Sequence, residues 1–257
     1  MDPIRCERRG PVALLTLDRP KVLNALSTEV LTRLGERIEE LRAEPELRAA
    51  VLTGEGRAFA AGADIAEMRD HGPTEALALS RLGQRVFSAL ESLPIPVLAA
   101  VNGFALGGGC ELACACDWIY VSSRARFGQP EVNLGLVPGF GGTGRLARRV
   151  GLAWAKELVI SGEPIDAETA LRIGLANRVF EPDALLPAAL EVAASLARRG
   201  PLAVAAAKRL LQEGQDADLR VAHALEQGAF GEVAASADAR EGRIAFLEKR
   251  DPRFRGA

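Results

Sequence analysis

Three glycines in succession, Gly107–Gly109, run straight into the apolar segment CELACACD, which is interrupted by one acid, Glu111. Glycine costs about 1 kcal/mol against alanine inside a helix, so a glycine triplet does not serve helix formation. It marks a place where backbone must be approached so closely that side chains are excluded. Two further glycine-containing stretches, GEGRAFAAGADI and VPGFGGTGR, share this layout with NGFALGGGCE: each leads into a helix-like segment. Unpaired N–H groups at such entries, together with the helix dipole, favour negative charge.

The rest of the chain alternates strand and helix signals and then turns helical. VALLTLDRP, stopped by Pro20, AAVLTG, PVLAAVNG, DWIYVSS and ARFG read as strands, and NRVF as a late one. Leu31, Leu34, Ile38 and Leu41 form one helix face, with Ser27 or Thr28 as its N-cap. A long helix is expected over 74–93, and helices over 184–199, 201–213, 218–235 and 237–248. The expected architecture is α/β with a helical C-terminal part, divided at about 195/196. The apolar faces of the late helices either pack back on the body or build an interface between copies of the chain.

Composition removes several function classes. The two histidines, His71 and His223, lie far from the four cysteines, so no zinc set is expected and a histidine-based nucleophile scheme is weakened. A net charge of −2 without a basic run argues against nucleic acid as a partner. No stretch approaches about 18 uninterrupted apolar residues and the N-terminus has no signal-like apolar core, so a soluble, cytoplasmic protein without a membrane partner is expected. The late basic residues Lys249, Arg250, Arg253 and Arg255 read as a solvated tail or as contacts to an anion.

Gly139, Gly141 and Gly144 match the spacing of a dinucleotide fingerprint, but Pro138 stands where the strand should end and no acid-tipped strand follows. Glu111 and Glu131 are more informative. A lone glutamate in an apolar run can simply face solvent or pair with an arginine. Glu111, however, lies one turn beyond the glycine triplet. Two carboxylates beside an anion-stabilising backbone suit proton transfer next to a developing enolate.

The stretches RPKVLNAL, FAAGADI, AAVNGFALGGGCELACACD, FGQPEVNLGLVPGFGGTGRL and FLEKRDPRF together resemble the crotonase (enoyl-CoA hydratase/isomerase) superfamily along nearly the whole chain. The resemblance implies a superhelix of ββα turns over 1–195 and a helical trimerisation region over 196–257, assembled as homotrimers or homohexamers. It places an oxyanion hole at the N–H groups of Ala63 and Gly108, approached by an acyl-CoA thioester carbonyl that a side chain at Gly108 would obstruct. Glu131 would protonate the α-carbon, Glu111 would activate water, and Gly139 would help position it. Lys21, Val22 and Leu23 would border the coenzyme A nucleotide and pantetheine, and Ala61, Asp64 and Ile65 the adenine. Lys21 and Arg19 would suit phosphate, and Lys249 would reach coenzyme A on a neighbouring subunit. Coenzyme A enters as part of the substrate, with no separate cofactor and no metal.

Both acid positions being occupied implies a hydratase rather than a simple Δ3,Δ2-isomerase. A non-catalytic scaffold or RNA-binding role is disfavoured by the intact acids and by a chain with one tyrosine and two tryptophans. Gly144 stands where many hydratases have glutamine. The acyl pocket is expected between about 66 and 95, around MRDHGPTEALALSRLGQ.

Overall fold

The structure, a computed structural model, describes residues 2–257. It opens with an antiparallel hairpin, β1 (Ile4–Arg9) and β2 (Val12–Leu17). A 3-10 turn at Pro20–Val22 then leads into α1 (Thr28–Arg42), whose start is capped by Ser27 accepting from the Val30 N–H at 3.3 Å. From here one unit recurs. β3 (Ala49–Gly54) bends into β4 (Ala58–Ala60) and on to α2 (Ile65–Met68) and α3 (Pro73–Glu91). β5 (Val97–Val101) bends into β6 (Phe104–Leu106) and α4 (Gly108–Cys114). β7 (Trp118–Ser122) bends into β8 (Arg126–Gly128), a 3-10 turn at Pro130–Leu134, and α5 (Gly142–Ser161).

Each turn therefore gives one strand to each of two sheets. The larger has the order β1-β2-β3-β5-β7-β10, with β10 at Arg178–Phe180; the smaller runs β4-β6-β8-β9, with β9 at Ile165–Asp166. Within the repeat all pairings are parallel. The corners are tight: a Cβ on Gly54 would lie 2.2 Å from the Ala58 carbonyl oxygen, and one on Gly103 would lie 2.0 Å from that of Arg57. No residue but glycine lets the chain pass from one sheet to the other so abruptly.

The inner strands β2, β3 and β5 of the large sheet are buried on both faces, which is why they read as continuous apolar runs rather than alternating ones. Ala13, Leu15, Ala50, Leu52, Ala99 and Val101 face the interior of the spiral. Val12, Leu14, Ala49, Val51, Leu98 and Ala100 face outward and are covered by Leu185, Ala189 and Ala193. Those three sit on α7 (Pro182–Leu196), which follows α6 (Ala167–Arg172).

α8 (Pro201–Gly214), α9 (Leu219–Ala234) and α10 (Ala237–Glu248) complete the chain. α8 is fastened to the body by Lys208, whose ammonium meets Asp117 Oδ2 at 2.8 Å and the Ile95 carbonyl at 2.9 Å. The C-terminal tail is held rather than solvated throughout. Asp238 accepts from the N–H groups of Arg255 and Gly256, and Glu241 pairs with Arg250 and accepts from the Arg253 N–H. Around these helices an apolar groove of ≈ 690 Å³ includes Leu202, Phe230, Val233, Phe246 and Leu247, and Phe246 is 83% exposed. Among the described residues no helix is long and apolar enough to cross a membrane.

Candidate active site

β4 and β6 are parallel neighbours, so the segments that leave them lie side by side. Ala63 follows β4, and Gly108 opens α4 after β6. As the first residue of a helix, Gly108 has no intrahelical acceptor for its N–H. The two segments abut: a Cβ placed on Gly62 would fall 3.9 Å from the Gly108 nitrogen. Among the described residues neither the Ala63 nor the Gly108 N–H donates to a protein acceptor. Two peptide donors thus sit together on adjacent turns.

The triplet is explained by three different neighbours, all belonging to the protein. A Cβ on Gly107, whose φ is +49°, would meet Glu131 Oε1 at 2.7 Å; one on Gly108 would meet the Phe140 ring at 2.9 Å; one on Gly109 would meet the Ala60 carbonyl oxygen at 1.9 Å. A side chain at Gly108, expected to obstruct a thioester, would also meet protein atoms. Phe140 and Leu26 already occupy that space.

Glu111 lies on α4 and is 1% exposed, so it neither faces solvent nor forms an ion pair with an arginine. Its Oε1 accepts from the N–H groups of Phe140 at 2.8 Å and Gly142 at 2.6 Å. Burial pushes its carboxyl up to about 7, against the two N–H groups that favour the charged form; the nearby Glu131 adds to the rise. Glu131, on the Pro130–Leu134 turn, is half-buried, and burial raises it too.

Between the two acids lies a residue that sequence reasoning passed over. Gln129 is fully buried, and its amide, turned so that the nitrogen faces the carboxylate, donates to Glu131 Oε1 and Oε2 at 3.1 and 3.2 Å. Its far end lies against Gly142, the residue whose N–H holds Glu111. Phe140 and Arg145 were missed as well. The Phe140 ring fills the space between Gly83 and Gly108, and Arg145 donates to the Phe140 carbonyl at 2.7 Å while pairing with Glu91. Gly139 has open space where a Cβ would stand. The glycines of the dinucleotide-like spacing follow a 3-10 turn rather than a strand, and two residues set between them, Phe140 and Gly142, supply the N–H groups that hold the Glu111 carboxylate.

The expected coenzyme A stretches come together. Ala61 N–H donates to the Leu23 carbonyl, Leu26 N–H to that of Gly62, and Asp64 N–H to that of Leu26. Lys21, Val22 and Ile65 are exposed beside this seam. Arg19 is a correction: it donates to the Ala25 carbonyl and pairs with Asp64 at 3.1 Å, so its charge is used internally. Lys249 closes α10 in left-handed backbone and, among the described residues, has no bond to this seam. Gly144 is exposed with nothing near its Cβ position, so the departure at that residue leaves the site unchanged. No group of histidines, cysteines and carboxylates among the described residues is arranged to hold a metal ion.

Comparison with known proteins gives the family. The family model described as enoyl-CoA hydratase/isomerase matches residues 7–257. The chain is 47% identical to a short-chain-enoyl-CoA hydratase of Clostridium acetobutylicum, over 95% of this chain and 94% of that protein. It is 45% identical to a crotonyl-CoA hydratase of Syntrophomonas wolfei, over 96% of each. A crystal structure of an enoyl-CoA hydratase from Bacillus anthracis superimposes with a TM-score of 0.96 at 36% identity, covering 99% of this chain and 100% of that one.

Proposed function

The chain belongs to the enoyl-CoA hydratase/isomerase family, and from that premise we propose that it adds water across the 2,3 double bond of trans-2-enoyl-CoA to give 3-hydroxyacyl-CoA. The observation that carries this reading is the pair Glu111 and Glu131 set around a peptide N–H that has no protein acceptor.

The thioester oxygen is received by the N–H groups of Ala63 and Gly108. As water attacks the β-carbon, the double-bond electrons move toward that oxygen, and the developing enolate is held there. A donor of this kind is worth about 3–4 kcal/mol. Glu111, ionised, takes a proton from the attacking water, while Glu131, protonated, delivers one to the α-carbon. Atoms balance, and the pair ends with its proton exchanged. Burial raises both carboxyls, and the charge of Glu131 adds to the rise at Glu111. Gly139, open on its free side, leaves room for the water.

The seam between Leu23–Leu26 and Ala61–Asp64 supports coenzyme A, with Lys21 supplying the charge for phosphate. Coenzyme A arrives with the substrate, and no other cofactor is required. The exposed apolar groove around Phe230, Phe246 and Leu247, within the helical region 196–257, supports assembly as a homotrimer or homohexamer. Sedimentation of the intact protein reads the copy number, and a monomer would overturn that part.

Loss of the conjugated-thioester absorbance of crotonyl-CoA tests the reaction. Rapid loss, reduced about 10²–10⁴-fold by Glu131→Gln, is expected. A wild-type protein that binds the thioester and leaves its absorbance unchanged would refute the hydratase reading.

A further inference from the structure

α3 runs past the active site through a region that the proposed chemistry has not used. Its Ser80 is half-buried, and its hydroxyl donates to the Gly139 carbonyl at 2.6 Å. Gln84, one turn later, donates to the same oxygen at 3.1 Å. That carbonyl shares a peptide group with the Phe140 N–H, which donates to Glu111 Oε1 at 2.8 Å. The chain of bonds is continuous: hydroxyl to carbonyl, through one peptide plane, to the buried carboxylate.

The geometry points to Ser80, supported by Gln84, as a positioning residue for the hydration reaction, one that aims and polarises the Gly139–Phe140 peptide toward Glu111. The inference rests on the hydratase reading for its effect on turnover. It does not rest on that reading for its effect on Glu111.

Three features make this more than a loop tie. The peptide lies outside regular structure, between the Pro130–Leu134 turn and α5, so no helix or strand ladder fixes its plane. A hydrogen bond to a peptide oxygen strengthens the donor at the other end of the same amide, and the Phe140 N–H to Glu111 bond at that other end is buried. α3 also holds the residue next to that peptide independently. The Phe140 ring occupies the hollow left by Gly83 and meets Phe87 edge-on at 5.7 Å, and Arg145 joins the Phe140 carbonyl to Glu91. Those anchors fix the residue, while Ser80 and Gln84 set the orientation of the peptide that touches the acid.

The charged and titratable groups facing Glu111 are Glu131 from the Pro130–Leu134 turn, Arg145 from α5, and Cys110 and Cys114 on its own helix. α3 contributes Glu91, which is paired with Arg145. None of these is altered by a change at Ser80. A weaker Phe140 donor then reads out as a rise in the Glu111 titration, because that N–H favours the charged form.

The test compares full-length wild type with Ser80→Ala, Ser80→Thr and Gln84→Met. Crotonyl-CoA hydration is measured across pH, and the glutamate carboxyl resonances are titrated by 13C NMR. Alanine suits a helix, so Ser80→Ala retains the fold. It is expected to lower kcat about fivefold with KM changed less than about twofold, the scale of one ordinary hydrogen bond. The Glu111 titration and the acid limb of kcat should both rise by about half a pH unit. Gln84→Met should give a smaller shift, and Ser80→Thr should restore wild-type behaviour.

A Ser80→Ala protein whose Glu111 titrates with the wild type overturns the proposal, whatever happens to kcat. A shift that threonine leaves uncorrected overturns it equally. The NMR arm needs no turnover. A wild type inactive on crotonyl-CoA, with the shift still present in Ser80→Ala, would sink the hydratase reading and leave the positioning role standing.

Discussion

Replacing Glu111 by glutamine keeps the side chain's shape and an oxygen to accept from Phe140 and Gly142, and removes only the ionisation. Two opposite effects should follow. Hydration falls by about 10²–10⁴, the worth of one general base. Stability rises, and it does so only at higher pH. The carboxyl is 1% exposed and is lifted from 4.5 to about 7, chiefly by burial. At ~1.4 kcal/mol per pH unit, that rise is worth about 3 kcal/mol. The folded value lies above the unfolded one, so the acid is accommodated in full below pH 4.5, where it is neutral in both states. Wild type then loses stability as the pH climbs to about 7 and levels off beyond it, while glutamine has nothing to lose. The gap between variant and wild type should therefore be under about 1 kcal/mol near pH 5 and about 3 kcal/mol near pH 8. At about 2–4 °C per kcal/mol for a chain of this size, that is a Tm difference of about 6–12 °C at the higher pH. Scanning calorimetry at fixed protein concentration measures both points. An equal gap at the two pH values, or a variant less stable near pH 8, would refute the argument that burial of this charge is what raises its titration.

Two further perturbations follow from the packing. Gly109→Ala drives a methyl to 1.9 Å from the Ala60 carbonyl oxygen and should cost at least about 3 kcal/mol in denaturant unfolding, whereas Gly144→Gln, with open space at its Cβ, should stay within about 0.5 kcal/mol; similar losses at both positions would contradict the close approach. Lys208→Met strands the carboxylate of Asp117, whose side chain is 16% exposed, and should cost about 3–5 kcal/mol, much of it recovered by adding Asp117→Asn; strictly additive losses in that double-variant cycle would show that the pair is not coupled.

Legibility in the sequence tracked burial and length. VALLTL, AAVLTG and VLAAV stood out because both faces of the large sheet are covered, and α1 and α3 because one face of each is apolar at helical spacing. β4 and β6 did not, because AFA and FAL are three residues each and lie inside glycine-rich stretches that read as loops. β1 escaped for the opposite reason: an edge strand, IRCERR is exposed after its first residue. The acids Glu111 and Glu131 stood out because each interrupts an apolar or glycine-rich context. Gln129, Phe140 and Ser80 did not, since what marks them is the backbone group or carboxylate they meet across the fold, and residue type alone carries no trace of that. Arg19 was misjudged in the same way: a cation near a proposed phosphate site reads as a ligand until its partner Asp64 is placed.

The two proposed oxyanion donors, Ala63 and Gly108, follow neighbouring strands of one parallel ladder, so their separation is governed by the strand spacing of about 4.8 Å rather than by the chain between them. All of α2 and α3 lies in that intervening chain. Insertions or deletions there would reshape the proposed acyl wall while the two N–H groups keep their distance. Selectivity and charge stabilisation are thus separate adjustable quantities in this architecture. One is written in the outer arc of a spiral turn, the other in its pitch.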